Sequence, residues 1–167
     1  MARITVNTTG TQPTLLVSTE LISNRANWGN IANTLSVTCL QDITITNSTG
    51  VYSYTDFCNT DMNKLTTPAD NEISVNMVID DSVFFGNANA TPNTSASFYG
   101  VSQLSIDKQP LQFKLVMNGG NATANAYYYA GQGFISQLAP TASPDAPVWI
   151  TPMTLAVNGS MTTEKNP

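Results

Sequence analysis

Pro110-Leu111-Gln112-Phe113-Lys114-Leu115-Val116-Met117 is followed by Asn118-Gly119-Gly120 and then by Ala126-Tyr127-Tyr128-Tyr129-Ala130-Gly131-Gln132-Gly133-Phe134-Ile135-Ser136-Gln137-Leu138. Leu111, Phe113, Leu115 and Met117 alternate with Gln112 and Lys114, the period-two signature of a half-buried strand. The Asn-Gly-Gly run is turn chemistry. After a Pro-rich loop, Ala139 to Pro147, the chain resumes as Val148-Trp149-Ile150-Thr151-Pro152-Met153-Thr154-Leu155-Ala156-Val157-Asn158-Gly159-Ser160. The stretch from Gln109 to Thr163 therefore reads as three consecutive antiparallel strands, and the rest of the chain has to complete their sheet.

Composition bounds what that sheet belongs to. With 167 residues the chain can bury the core of one ordinary domain. Charged residues make up only 10%, against about 25% in typical domains, and Asn, Thr and Ser fill the gap. Lys and Glu are depleted where protein meets protein, so this surface fits either extensive contact with neighbours or a Thr/Asn-rich secreted or virion-type β protein. The net charge is −5, and the six basic residues, Arg3, Arg25, Lys64, Lys108, Lys114 and Lys165, are scattered. No basic patch exists to neutralise a phosphate backbone, which excludes tight nucleic-acid binding. The opening Met1-Ala2-Arg3-Ile4-Thr5-Val6-Asn7 has no apolar leader, and no run is long enough to span a bilayer. Synthesis in a cytosol predicts free thiols at Cys39 and Cys58, with Cys39 a small buried side chain. Asn-x-Ser/Thr triplets such as Asn47-Ser48-Thr49 are expected from composition alone.

Taken in order, Ala2 to Asn7 alternates as a short strand or arm, and Thr14 to Ser18 fits another strand. Asn24 to Asn33, with Trp28 beside Gly29, fits a loop or one helical turn. Thr34 to Thr46 predicts a strand with Leu35, Val37, Cys39, Ile43 and Ile45 on one face and Ser36, Thr38, Asp42, Thr44 and Thr46 on the other. Asn47-Ser48-Thr49-Gly50 predicts a turn, with Val51 to Thr55 as the returning partner. Asp56 to Asn71 then reads as a long polar loop of the kind that usually has a function. Glu72 to Asp80 predicts a second strand: Ile73, Val75, Met77 and Ile79 against Ser74, Asn76 and Asp80. A helix is expected at about 95–106, capped by Thr94 or Ser95, with Gly100 costing it about 1 kcal/mol. The expected fold is mainly β, an antiparallel β-sandwich or small barrel with one flanking α-helix. Residues 1–33 form an arm and first strands, 34–163 the core and 164–167 a tail, all in one domain.

Catalytic patterns are missing. The chain has no histidine, which removes Ser-His-Asp and Cys-His arrangements and the usual transition-metal sites. No P-loop, dinucleotide fingerprint or Cys-x-x-Cys occurs. Cys58 lies near Asp56 and Asp61, whose charge would raise a thiol pKa rather than activate it. Asp80-Asp81 and Asp70-x-Glu72 read as solvated strand ends before they read as a metal or glycosidase site, since the EF-hand pattern is absent. Tyr127, Tyr128 and Tyr129 fit core on one face and interface on the other better than a sugar-stacking platform. No enzyme, cofactor or metal is expected, and an interaction role is the default.

Four pieces of this chain resemble the major tail tube proteins of long-tailed, non-contractile (siphovirus-like) bacteriophages. Leu35-Ser36-Val37-Thr38-Cys39-Leu40-Gln41-Asp42-Ile43-Thr44-Ile45 is similar to the family's first long strand. Tyr54-Thr55-Asp56-Phe57-Cys58 followed by Asp70 to Val78 is similar to its loop and second strand. The segment Pro110 to Met117 follows a helix as it does there, and Tyr129 to Ile135 with Met153 to Ser160 resembles its closing strands. Residues 8–33 match none of these pieces.

The resemblance implies hexameric rings stacked into a tail tube, a conduit for DNA ejection into the host. It implies a virion tail assembled in the host bacterial cytoplasm. The implied partners are further copies of the chain, a tail terminator, a tape measure and baseplate or distal tail proteins; genomic DNA passes through without specific binding, and no membrane is involved. Within that frame Thr38, Asp42, Thr44, Ser74, Asn76 and Asp80 are expected to face the lumen, where polar and acidic side chains repel DNA weakly. Asp56, Phe57, Asp61, Met62 and Lys64 are expected to contact the next ring, with the N-terminal arm and Glu164 to Pro167 as secondary candidates. The alternatives are a capsid decoration or accessory virion protein, and a carbohydrate-binding module using Tyr127 to Tyr129 and Trp149.

Overall fold

The computed structural model describes residues 12–54, 62–87, 95–119, 124–143 and 146–166. In chain order the elements are β1 (Thr14–Ser18), a 3-10 turn (Arg25–Asn27), β2 (Leu35–Val37), β3 (Leu40–Tyr54), β4 (Asn63–Val78), α1 (Asp81–Phe85), α2 (Ala96–Ile106), β5 (Leu111–Val116), β6 (Tyr127–Leu138), β7 (Thr141–Ser143), β8 (Ala146–Val157) and β9 (Thr162–Lys165). The fold is mainly β and antiparallel, with helices flanking the sheet. β5, β6 and β8 pair consecutively, as the alternation at Leu111 to Leu155 dictates. The Ala139 to Pro147 segment is not only loop, because it holds β7 and the start of β8, which pair with each other.

The strand order is β2-β1-β5-β6-β8-β4-β3, with β7 on β8 and β9 on β6. β2 and β3 stand at opposite ends of this order, yet only Thr38 and Cys39 separate them. Three Cα steps span at most about 11 Å. The two ends of the sheet therefore meet at this corner, and the sheet curls around one core. Cys39 makes the corner with φ of 57°, and its carbonyl accepts from Val78 N–H at 3.3 Å. The expected continuous strand from Thr34 to Thr46 is thus broken in two, because the chain crosses here from one sheet edge to the other. Cys39 is exposed at the bend rather than buried.

The largest departure follows that corner. Asn47-Ser48-Thr49-Gly50 does not turn, and Val51 to Tyr54 is not a returning partner; Thr55 lies outside the described residues. β3 continues to Tyr54, and its partner is β4, in register from Leu40↔Met77 to Tyr54↔Asn63. Much of the expected loop 56–71 is therefore strand, since β4 starts at Asn63. Gly50 lies in the ladder, where the register shifts between Thr49 and Val51. A Cβ there would overlap the Thr67 hydroxyl, so its glycine serves a bulge and not a turn. β4 pairs with β8 only from Asn71 to Val78; beyond Asn71 the β3–β4 hairpin projects from the body, and almost every residue of it is exposed.

One apolar cluster joins Leu15, Val17, Leu35 and Val37 to Ile73, Val75, Met77, Phe113, Leu115, Ile135 and Leu155, with Phe84, Val101 and Leu104 of the helices. Each fully buried side chain of this size contributes roughly 1.5–3 kcal/mol. β5 is buried on both faces and not half-buried. A second cluster of Leu16, Ile31, Val116, Tyr128 and Ala130 covers its other side. Gln112 is accommodated there by accepting from Ile22 N–H and donating to the Trp28 carbonyl.

α1 was not expected. Asp80 caps it by accepting from Ser82 and Val83 N–H, and Gly86 ends it. α2 matches the expected helix but kinks at Gly100, with φ 67° and ψ 168°. Glu164 and Lys165, expected as tail, form part of β9 opposite Tyr128 and Tyr127.

Candidate functional site

On the β3–β4–β8 ladder the polar parity faces away from the core. Asp42 lies opposite Asn76, Thr44 opposite Ser74, Thr46 opposite Glu72 and Ser48 opposite Asp70. Asn76 Nδ2 donates to Asp42 Oδ2 at 3.2 Å, and the Ser74 and Thr154 hydroxyls lie 3.3 Å apart. Asp42, Thr44, Ser74 and Asn76 line a shallow depression of about 180 Å³ that Val75, Gln137, Pro152, Met153 and Thr154 complete. The surface is hydroxylic and acidic, and none of these positions is basic. Four of the expected lumen residues, Asp42, Thr44, Ser74 and Asn76, are thus brought together.

The other two lie elsewhere. Thr38 is exposed at the corner between β2 and β3, outside either strand. Asp80 is the cap of α1; hydrogen bonds from the Ser82 hydroxyl and from Val83 N–H hold its carboxyl below the usual carboxylate range.

The second feature is an edge. β3 ends the strand order, and among the described residues no strand pairs with its outer side along its 15 residues. An edge this long, with free N–H and C=O groups, is a template for another chain. The far end of its hairpin is apolar: Val51, Tyr52, Tyr54, Met62 and Leu65 are 39–62% exposed. Tyr52 stacks on Tyr54 with ring centroids 6.1 Å apart, and Tyr52 faces Leu65 across the ladder. Of the expected contact residues, Met62 and Lys64 belong to this end, Lys64 paired with Ser53. Asp56, Phe57 and Asp61 lie outside the described residues. Val51-Tyr52-Ser53-Tyr54, a β-prone run with no breaker, is strand as expected, but the turn expected at Asn47 to Gly50 and the loop expected at Asp56 to Asn71 concealed that residues 51, 52, 54 and 65 share one projecting hairpin.

The aromatic platform is not assembled. Tyr128 is buried, Tyr129 packs on the core, and Tyr127 and Trp149 occupy opposite ends of the β6–β8 pair. Among the described residues no three His, Cys, Asp or Glu side chains converge, and no helix is long and apolar enough to cross a membrane.

No protein-family model matches the chain, and no curated protein matches it. Solved structures do. One is a chain in the tail of an empty gene transfer agent particle refined helically with C6 symmetry. It is 13% identical, with a TM-score of 0.57 over 90% of this chain and 95% of that one. Another is a chain in the virion of a native gene transfer agent particle, 12% identical, with a TM-score of 0.54 over the same shares. At such identities the likeness is one of fold.

Proposed function

We propose that the chain is the tube subunit of a long, siphovirus-like tail. Six copies close into a ring, rings stack, and the stack is the conduit through which DNA is ejected into the host. The role is structural and not enzymatic. The observation that carries this reading is that, among the described residues, no strand pairs with the outer side of β3, at the edge of a sheet that curls around one core. A head-to-tail contact along that edge, repeated by rotation, closes into a ring and joins the neighbouring sheets into one barrel. The C6 symmetry of the gene transfer agent tail that shares the fold supports a count of six.

Asp42, Thr44, Ser74 and Asn76 then line the lumen. A hydroxylic, acidic wall forms no phosphate contacts that would retain DNA through counterion release. Thr38 and Asp80 flank this surface at the corner and the α1 cap. The apolar hairpin end, with Met62 and Lys64 at its rim and Asp56, Phe57 and Asp61 completing the segment, contacts the adjacent ring. A tail terminator, a tape measure and baseplate or distal tail proteins meet the stack at its ends and in its bore, and assembly takes place in the host cytoplasm.

The test is to decorate particles carrying this chain with an antibody against it and image them. Regular labelling along the tail supports the proposal; labelling confined to the capsid overturns it.

A further inference from the structure

A polar cluster lies on the other face of β5, with Lys114 and Asn166 buried and Glu164 exposed at its rim. Lys114 and Asn166 are only 4% and 6% exposed. Lys114 Nζ donates to Asn166 Oδ1 at 2.9 Å, across 52 positions of chain. The Asn166 backbone is fixed on both sides: its N–H donates to the Ala126 carbonyl at 2.9 Å, and its carbonyl accepts from Asn125 N–H at 3.2 Å. Lys114 Nζ also lies 4.3 Å from the centroid of the Tyr128 ring. The Tyr128 hydroxyl donates to Glu164 Oε2 at 2.7 Å, and Glu164 is the cross-strand partner of Tyr128. An amine, a carboxamide, a carboxylate and an aromatic ring are thus gathered on one face of β5, β6 and β9.

We propose that Lys114 and Asn166 join in an intramolecular isopeptide bond, with Glu164 carrying the proton. Glu164 takes a proton from the Lys114 ammonium, and the freed lone pair attacks Asn166 Cγ. Glu164 returns the proton to the carboxamide nitrogen as the tetrahedral intermediate collapses. The Cγ–Nδ2 bond breaks, and the departing ammonia takes the second proton from the former lysine nitrogen and leaves as ammonium. Overall, an ammonium and a primary amide become a secondary amide and an ammonium ion, with no redox change and no co-reactant.

Three observations favour this chemistry over a merely structural hydrogen bond. Desolvation lowers the Lys114 pKa against the opposing pull of Glu164, which makes the nucleophilic amine accessible. The Tyr128 ring face, 4.3 Å from Nζ, favours the ammonium and holds the side chain over the cluster. The Tyr128 hydroxyl, pushed up to about 12 by burial and by Glu164, stays protonated and orients the carboxylate. The Asn166 backbone, fixed on both sides, keeps the carboxamide beside the amine, so the reaction is intramolecular.

The bond forms within one chain, so its detection is independent of any tube. The test is the intact mass of the denatured full-length protein after incubation at neutral pH, followed by tryptic digestion and tandem mass spectrometry. The expected result is a mass short by one ammonia, no cleavage after Lys114, and a branched peptide joining the Lys114 and Asn166 segments. N166A should keep its full mass. E164Q, with unchanged circular dichroism, should form the bond about 10²-fold more slowly or worse, the usual loss for a positioned acid–base group. Wild-type protein that stays at full mass while β9 amides are protected overturns the proposal. So does an ammonia loss that persists in N166A, which would be a succinimide at Asn118-Gly119 or Asn158-Gly159. Bond formation at the wild-type rate in E164Q overturns it as well.

Discussion

Replacing Gly100 with alanine tests the crossing of α1 and α2 that covers one side of the core. Gly86 and Gly100 meet back to back there, and both have positive φ, 86° and 67°. At φ 67° and ψ 168° Gly100 sits in a region that is essentially glycine-only, which costs another residue about 1–3 kcal/mol. An added Cβ would also lie 2.6 Å from the Phe84 carbonyl oxygen, closer than real Cβ contacts come. The obstacle is backbone, so it yields only by separating the helices, at about 1–3 kcal/mol for overpacking. The smaller entropy of unfolded alanine returns about 0.4–1 kcal/mol. The net loss is about 3 kcal/mol, or roughly 6–12 °C in Tm for a chain of this size. Gly159 is the control, since it has φ of 83° but no heavy atom within 4 Å of an added Cβ. G159A should therefore cost about 1 kcal/mol, for backbone strain alone. Urea titration followed by tryptophan fluorescence gives both values. If G100A and G159A destabilise equally, within about 0.5 kcal/mol, the helices do not cross as described.

Other perturbations separate assembly from folding. Y52S with L65S removes exposed apolar surface and should change monomer stability by less than about 0.5 kcal/mol; electron microscopy should show tube formation lost. D42K with T44K places cations on the proposed lumen wall and should slow DNA release in a single-particle ejection assay with tails intact; unchanged release would count against that wall. Asp80 is better tested as D80N, because lysine there also removes the α1 cap. Tyr128 predicts an alkaline limit. Its folded pKa of about 12 lies above the reference value of 10, so its contribution is complete below pH 10 and is lost as pH rises toward 12. Y128F should show a smaller loss of stability over that interval in thermal melts.

Much of the sheet was legible because its strands obey simple alternation. Leu111 to Met117 and Ile73 to Met77 have one apolar parity each, and that parity places them on the core. Three features were hidden, each for a physical reason. Cys39 continues the apolar parity of its strand, so nothing local shows that the chain bends there into positive φ; the bend is imposed by the curl of the whole sheet. Asn47 to Gly50 has turn composition, but Gly50 was needed where the Thr67 hydroxyl crowds the ladder, and tertiary context overrode propensity. Gln112 and Lys114 read as solvent-facing because alternation cannot reveal a second layer, which residues 22–31 and β9 provide. Parity places Asp42 and Asn76 on the polar face of their strands. Their meeting required the β3–β4 register, which the misread turn concealed. Asp80 could have been read as a cap from Asp80-Asp81-Ser82 followed at Gly86 by a helix stop.

The most direct measurement is a cryo-electron microscopy reconstruction of the assembled particle at a resolution that separates strands. The account predicts six copies per ring, with a strand of the neighbouring copy hydrogen-bonded along the outer side of Leu40–Tyr54. A reconstruction in which that side of β3 faces solvent, or is covered from within its own chain, would contradict it.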